Sequence, residues 1–163
     1  MKTATWNPYL LLAVCLALPL AVGAVGGIAT ARSLPDWYAG LTKPSWNPPN
    51  WLFGPVWTVL YVLMGIALWR ILRLGWTEPG VGLAASAFGL QLALNLGWSL
   101  VFFGLRAPGL ALAEIILLLV VLIFTAWRFM GLDAAAGWLL VPYALWSLFA
   151  ATLNAAIWRL NLP

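Results

Sequence analysis

Charge is so sparse along this chain that five segments each run the width of a bilayer with almost none. They are residues 3–31, 44–69, 79–105, 107–127 and 134–158, and only Glu114 interrupts the fourth. A helix rises 1.5 Å per residue, so about 20 apolar residues cross a hydrocarbon core. Just 7% of the residues are charged, against about 25% in soluble domains. Too little polar surface remains to face water, so the chain's solvent is lipid. Lipid offers no partner to a free backbone N–H or C=O, which makes helices the expected spanning structure. The expected fold is all-α: one polytopic domain over 1–163 with transmembrane helices near 9–31, 51–74, 81–103, 108–130 and 134–160. Asp133 is placed to cap the last of these. Short connections make sequential helices antiparallel neighbours, giving an up-down bundle in a multi-pass integral membrane protein.

The start of the chain carries a second pattern. Lys2, the apolar run from Leu10 to Val22 and the small residues Ala21 to Ala24 resemble a secretory signal with a cleavage site. The apolar run continues through Thr30, however, and Gly23 and Gly27 form a small-xxx-small pair suited to close helix contact. The first helix is therefore expected to remain. Orientation is undecided by positive charge: Lys2, Arg70, Arg73 and Arg128 fall on one side, and Arg32, Lys43, Arg106 and Arg159 on the other. These eight cations sit singly or in pairs at helix ends as interfacial anchors, with no patch for nucleic acid.

One connection stands apart. Residues 32–50 hold Trp37, Tyr38, Trp46, Pro44, Pro48 and Pro49, and Trp51 follows directly. Proline fixes φ, and indoles sit well where one edge is wet and the rest is apolar. Long loops are usually functional or disordered, and this aromatic content speaks against disorder. It reads as a lid or rim.

Three helical stripes carry the remaining polarity. Trp57, Tyr61, Met64 and Leu68 share one face of the second helix, and Gln91, Asn95, Trp98 and Phe102 one face of the third. Tyr143, Trp146, Ser147, Ala150 and Asn154 share a face of the fifth. Facing inward, these stripes would line an aromatic pocket with few polar groups, as small-molecule sites usually are. The plainer alternative is that the amides bond between helices and the indoles merely pack. Glu114 has three readings: protonated, paired with an arginine, or exposed at a partner interface. Cys15 is alone and forms no internal disulfide. There is no histidine, and no cysteine pair, phosphate loop, nucleophile elbow or catalytic carboxylate pair. Hydrolysis, phosphoryl transfer and metal chemistry are thus disfavoured, no metal site is expected and no cofactor is required. Twelve tryptophans remain, able to stack on a flat conjugated ligand or to support its photo-oxidation.

Several motifs resemble the TspO/MBR family, the tryptophan-rich sensory proteins, translocator proteins and peripheral-type benzodiazepine receptors. They are Trp37-Tyr38 with Leu41, Lys43-Pro44-Ser-Trp46, Pro48-Pro49-x-Trp51 and Gly54-Pro55-Val-Trp57 with Leu60-Tyr61 and Met64-Gly65. Gln91-Leu-Ala-Leu-Asn95, Trp98, Phe102-Phe103-Gly104, Pro142-Tyr143, Trp146, Ala150 and Leu153-Asn154 follow in the same order. The resemblance implies a five-helix bundle, often a homodimer, with a cavity beneath the first loop. It implies ligands such as porphyrins and haem, isoquinoline carboxamides and benzodiazepines, and, in eukaryotic members, cholesterol. Carried over by position, the cavity residues are Trp37, Tyr38, Trp46, Pro48, Trp51, Trp57, Asn95, Trp98, Trp146, Ala150 and Leu153. Trp57 and Trp146 resemble the tryptophans tied to light-dependent porphyrin breakdown in some bacterial members. The sterol motif of animal members needs a tyrosine where this chain has Ala155, so dedicated sterol recognition is not expected.

The expected function is a receptor or sensory membrane protein for tetrapyrroles. Light- and oxygen-dependent porphyrin degradation, tetrapyrrole or lipid transport, and simple scaffolding are its competitors. Transport lacks the internal repeats of many carriers, and it has no ion-coupling candidate besides Glu114.

Overall fold

The computed structural model describes residues 7–162, so Lys2 and Thr3 lie outside the described residues. It contains five membrane-length helices: α1 (Pro8–Ser33), α2 (Asn50–Leu72), α3 (Val81–Ser99), α4 (Pro108–Leu132) and α5 (Ala134–Leu160). No strand occurs among the described residues. Asn7 opens α1 by accepting the Tyr9 N–H at 3.0 Å, ahead of Pro8, whose missing donor is no loss there. Asp133 opens α5 in the same way, accepting from the Ala136 N–H at 3.1 Å.

Two helices run on through π-helical turns at the loop end of the bundle. α1 continues through Leu34–Tyr38, where Pro35 has no N–H to give to the preceding turn. The expected loop 32–50 is thereby shortened to residues 41–49. α3 continues through Leu100–Gly104, with the Leu105 N–H reaching back five residues to the Leu100 carbonyl at 2.8 Å. This wider register and the proline at 108 leave the Phe103 carbonyl without a helical donor. The buried Ser33 hydroxyl donates to it, tying the end of α1 to the end of α3.

The helices form a ring in the order α1, α2, α5, α4, α3, with α3 closing back on α1. The expectation that all sequential helices are neighbours therefore fails at one place. α2 and α3 lie across the bundle and touch only lightly, because the connection between them is long enough to cross and α5 occupies the place beside α2. Met64, Ile71, Phe88, Leu122, Phe129, Leu140 and Tyr143 fill the centre. α1 approaches α2 closely at Gly65, where a Cβ would lie 2.7 Å from the Cys15 carbonyl oxygen and 2.8 Å from Leu16 Cα.

At the opposite end from the long loop, Arg70 of α2 grips Asp133 with both Nε and Nη2, the closest approach being 2.8 Å. Such a forked pair fixes direction as well as distance. Partial burial works against the charged carboxyl of Asp133. The Arg70 hydrogen bonds and charge, with the Ala136 N–H, outweigh it and hold Asp133 below the usual carboxylate range.

Candidate ligand-binding cavity

α1, α2, α3 and α5 enclose a cavity of about 580 Å³ in the loop-side half of the bundle. Ligand pockets commonly measure about 300–1,000 Å³. Each wall has its own character. Between Leu20 at one end and Leu34 and Tyr38 at the other, α1 supplies little side chain, presenting Gly23, Ala24, Gly26, Gly27, Thr30 and Ala31. α2 supplies Trp57 and Tyr61, the extended α3 supplies Trp98 and Phe102, and α5 supplies Trp146, Ala150, Leu153 and Asn154. Aromatic planes on three walls thus face a fourth wall of small residues.

Stacking and hydrogen bonds hold those planes. Trp57 lies over the Tyr61 ring, with centroids 5.5 Å apart and planes 27° from parallel, and meets Tyr143 edge-on at 5.9 Å. Phe53 and Phe149 brace Trp146 at 5.9 and 5.4 Å. Trp98 stacks on Phe102 at 5.3 Å and donates its indole N–H to Asn154 Oδ1 at 3.1 Å. The Asn154 amide in turn donates to the Pro108 carbonyl at 2.8 Å, tying α5 to the first turn of α4. Beneath the cavity, Tyr61 donates to Asn95 Oδ1 at 2.8 Å, and Asn95 Nδ2 donates to Tyr143 Oη at 2.9 Å. The three stripes read from the sequence therefore do converge, and the amides of Asn95 and Asn154, though not that of Gln91, serve as interhelical ties as well.

Seven of the eleven residues singled out by position line the cavity: Tyr38, Trp51, Trp57, Trp98, Trp146, Ala150 and Leu153. The other four lie outside its wall. Trp37 packs edge-on against Phe102 at 5.5 Å, behind the wall. Trp46 is half-exposed against Phe149 at 5.9 Å. The Pro48 carbonyl accepts from the Asn47 amide at 2.9 Å within the loop. Asn95 is buried one layer down and committed to two phenols, so it acts on the cavity through Tyr61.

No residue from 39 to 49 lines the cavity, and the loop is not the rim its composition suggested. It crosses the end of the bundle and is pinned there. Thr42 exchanges two hydrogen bonds with Asn161 just past α5, at 3.0 and 2.9 Å, and the Tyr38 hydroxyl donates to Asn47 at 3.0 Å. Lys43 lies 4.8 Å above the Tyr38 ring and donates to the Leu41 carbonyl at 3.0 Å.

The α1 wall escaped the sequence reading. Gly23 does make the close contact expected of it, against the Tyr61 ring. Gly27 does not: nothing lies within 4 Å of where its Cβ would be, and it faces the cavity. The usable signal was the repetition of small residues at 24, 27 and 31, one helical face opposite three aromatic ones. Glu114 is not paired with an arginine. Its carboxylate is buried against Gly97 of α3 with no protein hydrogen-bond partner, as are the side chains of Gln91 and Ser147 and the indole N–H of Trp146.

Known proteins align with the chain over nearly its full length. The sequence profile of the TspO/MBR family matches residues 15–159. This chain belongs to the TspO/MBR family. The tryptophan-rich protein TspO of Chlorobaculum tepidum is 45% identical over 152 residues, covering 93% of this chain and 96% of that one. The tryptophan-rich sensory protein of Cereibacter sphaeroides is 42% identical over 143 residues, covering 86% and 88%. The translocator protein of Sus scrofa is 40% identical over 147 residues, covering 86% of each chain. Family and fold agree: this is a multi-pass integral membrane protein of the sensory and translocator group.

Proposed function

We propose that the protein is a membrane receptor or sensor that holds a flat, conjugated, apolar ligand of the porphyrin class in the aromatic cavity. The supporting observation is the convergence of Trp57, Trp98 and Trp146 from three helices on one space, opposite the side-chain-poor face of α1. Indole planes stack on extended π-systems, and a cavity with few polar groups suits a ligand whose faces are apolar. The bilayer is the partner that surrounds the protein. Isoquinoline- and benzodiazepine-like molecules fit the same chemistry.

The test is a titration of the purified protein with protoporphyrin IX, followed by tryptophan fluorescence. Saturable quenching is expected in the wild type, and affinity should fall at least about tenfold when Trp57→Phe and Trp146→Phe are combined, a loss of about 1.4 kcal/mol. Unchanged affinity in the double variant would remove the cavity from the reading.

A further inference from the structure

The exposed residues that line the cavity all belong to α1 and α2, from Asn50 at the loop end to Ala24 and Thr58 farther in. At the loop end, the connection is bolted across the bundle by the Thr42–Asn161 pair. At the deep end, α1 and α2 close on each other where Gly65 meets the Cys15 backbone and Gly23 meets the Tyr61 ring. Between these closures the two helices part. Ala24, Gly27 and Ala31 of α1 and Trp51, Gly54 and Thr58 of α2 all line the cavity and are all exposed. A Cβ at Gly27 or Gly54 would meet nothing within 4 Å.

This gap lies within two apolar membrane spans. Thr58 and Gly27 sit about 12–16 Å along their helices from the loop, a distance that reaches past the headgroups into the acyl chains. The hydroxyls at its edges are already satisfied: Thr58 donates to the Gly54 carbonyl at 2.9 Å and Thr30 to the Gly26 carbonyl at 3.0 Å. The edges of the gap therefore need no water.

We infer that ligands enter sideways from the hydrocarbon layer through the slot between α1 and α2, and that Gly27 and Gly54 set its width. This inference rests on the reading of the cavity as a ligand site. A guest apolar enough for the cavity concentrates in the bilayer, and this route takes it inside without lifting the pinned loop or passing through water.

The experiment uses the full chain in phospholipid nanodiscs, with protoporphyrin IX delivered from vesicles and binding followed by stopped-flow fluorescence. Gly27→Leu and Gly54→Leu have open space at the substituted position and raise helix propensity. Each should slow association by about tenfold and slow dissociation as well, because a narrowed doorway obstructs both directions; the two glycines also line the cavity, so the decisive readout is the pair of rates. Asn161→Ala, which frees the loop, should leave both rates unchanged. Wild-type rates in the leucine variants, a changed Kd with unchanged association, or faster exchange in Asn161→Ala would each overturn the inference. A tightly held phospholipid recovered with the wild type but not with the leucine variants would do so as well, making the slot a lipid groove.

If the wild type does not bind protoporphyrin, the porphyrin reading falls, and the slot is then decided without a ligand. A nitroxide placed through Ala150→Cys in a Cys15→Ala background reports what reaches the cavity. Collisions with dissolved oxygen that diminish in Gly27→Leu support a lipid-facing opening. Dominant collisions with a water-soluble nickel chelate refute it.

Discussion

Tyr61 donates its phenol to Asn95 at 2.8 Å, joining α2 to α3, two helices that otherwise scarcely touch. Without a hydrophobic drive between helices in lipid, such ties and close packing hold a bundle together. Tyr61→Phe leaves Asn95 Oδ1 buried without its donor. The expected loss is about 1 kcal/mol, within the range of interhelical hydrogen bonds in membranes. Asn95→Leu severs the links to both Tyr61 and Tyr143 and should lower the melting temperature further. Equal melting temperatures for wild type and Asn95→Leu would show that these ties carry no weight.

The α1–α2 contact gives a steric prediction. Gly65→Val sets new atoms against the backbone of Cys15 and Leu16, which no side-chain rotation relieves. Destabilisation of about 2–3 kcal/mol or failure to fold is expected. Gly27→Ala, on the same pair of helices, should be neutral or mildly stabilising, since nothing lies nearby. Thermal melts in one detergent, monitored by near-ultraviolet circular dichroism, compare the two directly.

Acid should loosen the end of the bundle away from the loop. Asp133 is held below the ordinary carboxylate range, after its partial burial is outweighed by Arg70 and the Ala136 N–H. A depressed native value means that the unfolded chain takes up the proton first on acidification. The contribution is therefore complete above the unfolded carboxylate value of about 4 and is lost as pH falls through the lower native value. Melting temperature measured from pH 7 down to pH 3 should decline in that window. Arg70→Gln should begin lower at neutral pH and decline less over the same window; a parallel decline would separate the pair from the acid response.

Light distinguishes a receptor from a porphyrin-degrading enzyme. Trp57 lies stacked on Tyr61 at the cavity wall, so a porphyrin held in the proposed site would lie beside its indole. Under illumination in air, an enzyme would bleach the Soret band faster than detergent alone, and Trp57→Phe would slow that loss. Binding without extra bleaching is the expected result for a receptor.

The helices were legible in the sequence because lipid permits so little else, and the positions of Asp133 and the three aromatic stripes followed from helical periodicity. The π-helical turns were not legible. Pro35 and Pro108 hint at them, yet their register depends on Ser33 reaching Phe103 across the bundle. Trp46 and Pro48 share the loop's aromatic and proline character with Trp51, but only Trp51 faces the cavity, because the loop is drawn toward Asn161. The α1 wall was hidden for a different reason: Ala24 and Gly27 matter by the volume they leave unoccupied, which composition does not display.

The circular arrangement of the helices bears on how the chain is assembled. α2 finds its long-term companion in α5, which leaves the ribosome after α3 and α4, and Arg70 meets Asp133, at the start of α5, only after α4 has emerged. Until that moment the nascent chain has a gap in its wall and an arginine without its carboxylate. A protein cut short at the end of α4, lacking both Asp133 and α5, would carry both defects into the membrane.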